Sequence, residues 1–109
     1  MTQAALNTLL LEYPGAWLDY PFGEDAAVYK VGEGEEAKMF AIIAEGSKPV
    51  RISLKCDPQL ALVLREKYES VLPGYHLNKS HWNTIICTGQ VPDDELKDLI
   101  RLSYDLVTS

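Results

Sequence analysis

The sequence lacks the features of an exported or membrane-embedded chain. Its first residues, Met1 to Leu11, contain no basic stretch and no cleavage-site pattern, so we do not expect them to act as a signal peptide. The longest apolar run is far shorter than the roughly 20 residues that a transmembrane helix requires. We therefore predict a cytoplasmic protein.

Cysteine is scarce, and the two cysteines present, Cys56 and Cys87, indicate free thiols in a reducing compartment. A zinc site would need His76 and His81 as further ligands, but the spacing of these four residues fits no usual zinc pattern. Both cysteines fall at strand positions that face inward, where free cysteine is commonly found. We predict neither a bound metal nor a cofactor.

The sequence also lacks a recognisable catalytic pattern. Cys56 follows Lys55 and precedes a predicted helix, but strand alternation points its thiol inward, whereas a nucleophilic cysteine needs an exposed thiol of low pKa. Glu24 and Asp25 are adjacent in the chain and cannot flank a substrate as a glycosidase pair does. We predict that the protein is not an enzyme.

Positive charge is in short supply: ten lysines and arginines face sixteen acids, which gives a net charge of -6. This balance predicts weak non-specific attraction to polyanions. The charge is uneven, however. The segment from Lys48 to Trp82 holds six basic and three acidic residues, a net +3, whereas the remainder holds four basic and thirteen acidic residues, a net -9. A polyanion-binding surface would therefore come from the middle of the chain.

The length of 109 residues, without repeats or a linker, predicts a single domain over residues 1–109. Apolar periodicity and turn residues predict seven elements. In order, they are a helix over Thr2 to Leu11, strands over Ala27 to Val31, Lys38 to Ala44 and Val50 to Cys56, a helix over Pro58 to Ser70, a strand over Thr84 to Gly89 and a helix over Val91 to Val107. Thr2 and Asp57 are the predicted N-caps of the first two helices, and there is room for a short extra strand near Tyr75 to Leu77.

Connections this short join antiparallel neighbours, because a parallel crossover needs about a dozen residues. The prediction is an α+β fold of order α-βββ-α-β-α, with an antiparallel sheet and helices packed on one face. The other face would be partly solvated. It would carry Arg51 and Lys55, which alternate with the apolar positions of their strand.

The stretch "PGYHLNKSHWNTI" over residues 73–85 concentrates donors and an indole, and two interpretations stay open. In a ligand-binding interpretation, Lys79 supplies charge, Asn78 and Asn83 supply hydrogen bonds, and Trp82 offers a stacking face. In a structural interpretation, Trp82 packs over the sheet and the polar side chains satisfy the backbone of a turn.

Arg51 and Lys55 likewise have two interpretations. They are either ordinary charges on a solvated sheet face or a phosphate-binding rail that continues to Lys79. Because the Debye length is about 8 Å at physiological salt, acids on the far side of the domain would weaken such a rail little.

Several segments, among them "YPFGEDAAVYKV", "KMFAII", "ISLKCDPQ", "PGYHLNKSHWNTI" and "LIRLSYDLV", resemble the MmcQ/YjbR-like proteins in content and order. The resemblance runs over nearly the whole chain. It implies a compact α+β fold similar to that of the bacterial frataxin CyaY and a role in DNA binding through a double wing motif.

A frataxin-like fold also suggests iron handling. In frataxin-like iron binders the first helix is acidic, but residues Thr2 to Leu11 contain no acid here and Glu12 stands alone. This departure from the pattern argues against iron.

Residues and resemblance together predict a non-enzymatic, DNA-binding protein of the MmcQ/YjbR-like family. The predicted contact residues are Arg51, Lys55, His76, Lys79, His81 and Trp82. The alternative is a protein-interaction or small anionic ligand-binding module that uses the same surface for an acidic protein or an anionic small molecule.

Overall fold

A computed structural model describes residues 1–74 and 77–109. Within these residues the chain forms three α-helices and six strands, in the order α1 (Gln3–Leu11), β1 (Ala16–Asp19), β2 (Ala26–Val31), β3 (Lys38–Ala44), β4 (Arg51–Lys55), α2 (Pro58–Lys67), β5 (Val71–Pro73), β6 (Trp82–Ile86) and α3 (Asp93–Thr108). None of the helices in the described residues is long and apolar enough to cross a bilayer.

The strands form one antiparallel sheet in the order β1-β2-β3-β4-β6-β5. The helices pack on one face of this sheet, where Leu6 and Leu10 of α1 join apolar residues of α2, α3 and the strands in a single buried core. The predicted fold class, α+β with helices on one face of an antiparallel sheet, is confirmed.

Local sequence signals explain where the first two helices begin. The hydroxyl of Thr2 accepts a hydrogen bond from the amide of Ala5 at 3.1 Å, which caps α1. The carboxylate of Asp57 accepts from the amides of Gln59 and Leu60, and Pro58 occupies the first turn of α2. Both caps were predicted from the residue types alone.

Two strands escaped the sequence-based prediction, and one helix was predicted too long. Strand β1 is only four residues long and follows Pro14 and Gly15 directly. Helix α2 ends at Lys67 rather than Ser70, because Tyr68 turns to extended backbone with φ -126° and ψ 122°. The chain then enters β5, which runs antiparallel beside β6. The extra strand predicted near Tyr75 to Leu77 lies partly outside the described residues.

Ser103 of α3 completes the sheet where the pairing of β3 with β4 ends. That pairing ends at Ala41 and Leu54, so the carbonyl of Phe40 and the amide of Lys55, which come next along the two strands, do not pair with each other. The hydroxyl of Ser103 donates to the carbonyl of Phe40 at 2.6 Å and accepts from the amide of Lys55 at 2.9 Å. One fully buried side chain thus joins α3 to both strands.

Tyr104, the next residue, secures the turn that follows α1. Its hydroxyl donates to the carbonyl of Pro14 at 2.5 Å. Its ring meets Phe40 edge to face, with ring centroids 5.4 Å apart, and also contacts Tyr13. The segment "SYDLV" therefore contributes two contacts that bind the last helix to distant parts of the chain.

Candidate nucleic-acid interface and sheet groove

The sheet face opposite the helices carries the predicted cations of β4. The burial pattern of β4 places Arg51, Ser53 and Lys55 on this open face, while Ile52 and Leu54 lie in the core. Lys55, at the end of the strand, also borders a cavity between α2 and α3. The spacing of four residues separates Arg51 from Lys55 by about 13 Å along the strand. Strand alternation predicted this arrangement correctly.

The cations of this region differ in whether a carboxylate of the described residues pairs with them. Among residues 1–74 and 77–109, no ion pair within 4.0 Å involves Arg51, Lys55 or Lys79. Arg51 and Lys79 are exposed, and Lys55 is half-buried. By contrast, Lys67, which belongs to the same basic segment, lies 3.8 Å from the carboxylate of Glu95.

Strand pairing places Trp82 directly beside Lys55 on the open face. The indole is only 7% exposed. A Cβ atom added to Gly74 would lie 2.7 Å from the Cβ of Trp82, so only glycine allows this close approach of β6 to the chain that follows β5. This burial leaves Trp82 little surface for stacking on a base and suits it to support the residues around it.

Arg65 of α2 fixes the connection that leads into β6. Its Nε donates to Oδ1 of Asn83 at 2.7 Å, and its Nη2 donates to the carbonyls of Lys79 and Trp82. The side chain of Asn83 in turn donates to the carbonyl of Ala61 at 3.2 Å. Arg65 is therefore committed to structure rather than free for a phosphate.

The two asparagines considered as ligand contacts serve the backbone and α2. Asn83 is 2% exposed and points to the helix layer, where Arg65 binds it. The side-chain oxygen of Asn78 accepts from the amide of Ser80 at 3.0 Å, which is a local turn contact. Asn83 is thus buried in structural contacts, whereas Asn78 stays exposed beside its turn contact.

His81 lies next to the end of β4, because its carbonyl accepts from the amide of Cys56 at 2.7 Å. Its side chain is exposed. The structure thus brings Lys55, His81 and Trp82 together at one end of β4 and places Lys79 two residues before His81. Arg51 lies at the other end of the strand. His76 lies outside the described residues.

The two cysteines are far apart. Cys56 follows the last residue of β4, whereas the amide of Cys87 bonds to the carbonyl of Val50 at the opposite end of that strand. A six-residue extended span separates these ends by about 20 Å. No group of three potential metal ligands occurs in residues 1–74 and 77–109.

Burial raises the pKa of the Cys56 thiol, and the nearby Asp57 carboxylate raises it further. Burial likewise raises the pKa of Cys87. Both thiols therefore stay protonated at neutral pH, the opposite of what nucleophilic attack requires.

The open face also contains a groove of about 610 Å³, which we call the sheet groove. Its floor consists of short side chains from neighbouring strands, including Ala44, Ser53 and Thr84. Phe22, from the loop between β1 and β2, and Leu77, from the chain between β5 and β6, also line it.

Arg51 and Asp25 supply the charges of the sheet groove. The sequence offered little sign of this site, because Phe22 and Leu77 come from loops far apart in the chain. Only the alternation that puts Ser53 on the face of Arg51 pointed toward it.

The open antiparallel sheet, the helices on one face and the cations of β4 define a small α+β domain whose second, partly basic sheet face is covered by no described helix. The YjbR family model matches residues 11–106, and the chain therefore belongs to the YjbR family.

Relatives support this assignment in sequence and structure. The chain is 39% identical to YjbR of Escherichia coli strain K12, in an alignment that covers 95% of this chain and 85% of that one. It is 38% identical to YbdF of Escherichia coli O157:H7, with 91% and 78% covered. The crystal structure of the Deinococcus radiodurans protein DR2400 matches with a TM-score of 0.94 at 39% identity, covering 99% of this chain and 79% of that one.

Proposed function

We propose that this YjbR-family domain binds nucleic acid, without catalysis, through a basic strip formed by Arg51, Lys55, Lys79 and His81. The observation that supports the proposal is that Arg51 and Lys55 project from the sheet face that no described helix covers. Neither of them pairs with a carboxylate of the described residues.

A local positive strip can attract a polyanion even on a chain of net charge -6. Asp94 and Asp98, near the start of α3, belong to the helix layer on the other side of the sheet, whereas Asp57 and Asp105 line a cavity that Lys55 also borders. Interactions between exposed charges fade beyond about 8 Å at physiological salt, so Asp94 and Asp98 oppose a phosphate at the strip only weakly, while Asp57 and Asp105 reduce the attraction at Lys55. Binding should consequently be modest and strongly dependent on salt.

The residues of the basic strip would make different kinds of contact with a nucleic acid. Arg51, Lys55 and Lys79 would neutralise phosphates, and His81 would donate a hydrogen bond to the backbone or a base. Trp82, being buried, would hold the shape of the surface between Lys55 and His81 rather than stack on a base.

Fluorescence anisotropy with labelled duplex and single-stranded DNA over a series of salt concentrations tests the proposal. Three phosphate contacts on duplex DNA predict a slope of log K against log salt of about -2.7, because each contact contributes about 0.9. Lys55→Gln and Lys79→Gln should each make the slope about 0.9 less steep. Lys97→Gln is the matched control, since Lys97 is exposed on α3 in the helix layer.

Two results would reject the basic strip. One is the absence of binding to either DNA at low salt. The other is a salt slope that responds to Lys97→Gln as strongly as to Lys55→Gln or Lys79→Gln.

A further inference from the structure

The sheet groove has the size and wall chemistry of a small-molecule site. Its volume of about 610 Å³ lies within the range of about 300–1,000 Å³ that is usual for ligand pockets. Phe22 presents a ring that is 67% exposed at the groove, and Leu77 adds a second apolar wall. A bound apolar body would remove both of these surfaces from water.

The polar groups of the groove are donors suited to an acid group. Arg51 offers a planar fork that fits a carboxylate with two parallel hydrogen bonds. The hydroxyls of Ser53 and Thr84 lie 2.7 Å apart and share one hydrogen bond. Because the pair uses only one of its two hydrogens, the other remains available for an oxygen of a ligand.

Asp25 restricts the charge that a ligand can carry. Its carboxylate lines the same groove, so a second negative charge on the ligand would be repelled. A singly charged carboxylate on Arg51 suits this arrangement better than a doubly charged phosphate.

We propose that the sheet groove binds a small monocarboxylic acid with a flat or branched apolar body. The carboxylate pairs with Arg51 and the Ser53–Thr84 hydroxyls, and the apolar body lies between Phe22 and Leu77. The groove shares Arg51 with the basic strip, so a bound carboxylate and a phosphate would compete for that side chain, but the other groove residues do not belong to the strip.

Titration of isotope-labelled protein with phenylacetate, followed by NMR, tests the site. Phenylacetamide serves as the neutral ligand of the same shape. Phenylacetate should shift the amide signals of Ala44, Ser53 and Thr84 in a saturable way. It should bind about tenfold more tightly than phenylacetamide, because its contact with Arg51 is charge-assisted.

Substitutions at exposed residues separate the charged from the apolar contributions to ligand binding, and they should leave the fold intact. Arg51→Gln should weaken phenylacetate about tenfold and leave phenylacetamide unchanged, while Asp25→Asn should strengthen phenylacetate alone. Phe22→Ala should weaken both ligands. Lys97→Gln is the control and should change neither.

The proposal is overturned if acid and amide bind equally, if Arg51→Gln does not affect phenylacetate, or if the shifted signals lie outside the groove. An absence of saturable binding also overturns it. None of these outcomes bears on the salt dependence of DNA binding, which is measured through Lys55 and Lys79.

Discussion

Replacing Ser103 with alanine should strongly destabilise the domain. The hydroxyl bridges the carbonyl of Phe40 and the amide of Lys55, with distances of 2.6 and 2.9 Å, and it is fully buried. Alanine leaves both backbone groups without a partner away from water, and each such group costs about 1–3 kcal/mol. We expect a loss of about 2–4 kcal/mol, a large part of the roughly 5–15 kcal/mol that stabilises a typical domain.

Equilibrium unfolding in urea measures this loss, and hydrogen exchange at the Lys55 amide reports the broken bond directly. Ser103→Cys replaces the hydroxyl with a larger thiol that donates and accepts hydrogen bonds only weakly, so it should also destabilise the domain. Ser80→Ala, in an exposed turn, is the control. If Ser103→Ala costs less than about 0.5 kcal/mol, the hydroxyl bridge does not carry the stability that we assign to it.

Three further predictions follow from buried groups. Gly74→Ala should lower the free energy of unfolding in urea by about 1–3 kcal/mol, because the new Cβ meets Trp82 at 2.7 Å; an unchanged urea midpoint would contradict this. Burial raises the pKa of Tyr29 to about 12 from the ordinary 10.0, so the folded state keeps a proton that the unfolded chain loses. Stability against urea should thus be intact below pH 10 and fall toward pH 12, and Tyr29→Phe should flatten this fall; an equal fall in both proteins would exclude Tyr29 as the cause. Cys56 should react with an aromatic disulfide reagent far more slowly in the folded protein than in urea, as measured in a Cys87→Ser background, and rapid reaction at neutral pH would contradict its burial.

Much of the fold could be predicted from local chemistry. The alternation around β4 gave the correct face to Arg51 and Lys55, since one buried face imposes a period of two on a strand. Thr2 and Asp57 marked the helix starts because few residue types satisfy the free amides of a first turn.

What the sequence could not reveal depends on distant contacts. The sequence has no helix-breaking residue at Lys67, since the first clear one is Pro73. The backbone becomes extended at Tyr68 and leads into β5, which pairs with β6. The role of Arg65 depends on Asn83 and the carbonyl of Lys79, which only the folded chain brings within reach. The sheet groove was hidden for the same reason, since its walls come from two separate loops.

The two outer strands of the sheet give the domain protection against self-association. β1 spans four residues and β5 only three, and β5 ends in Pro73, which has no amide hydrogen to offer an incoming chain. Short borders of this kind give little template for the growth of intermolecular sheets. These short edges should therefore discourage fibrillar aggregation, even though no described helix covers one face of the sheet.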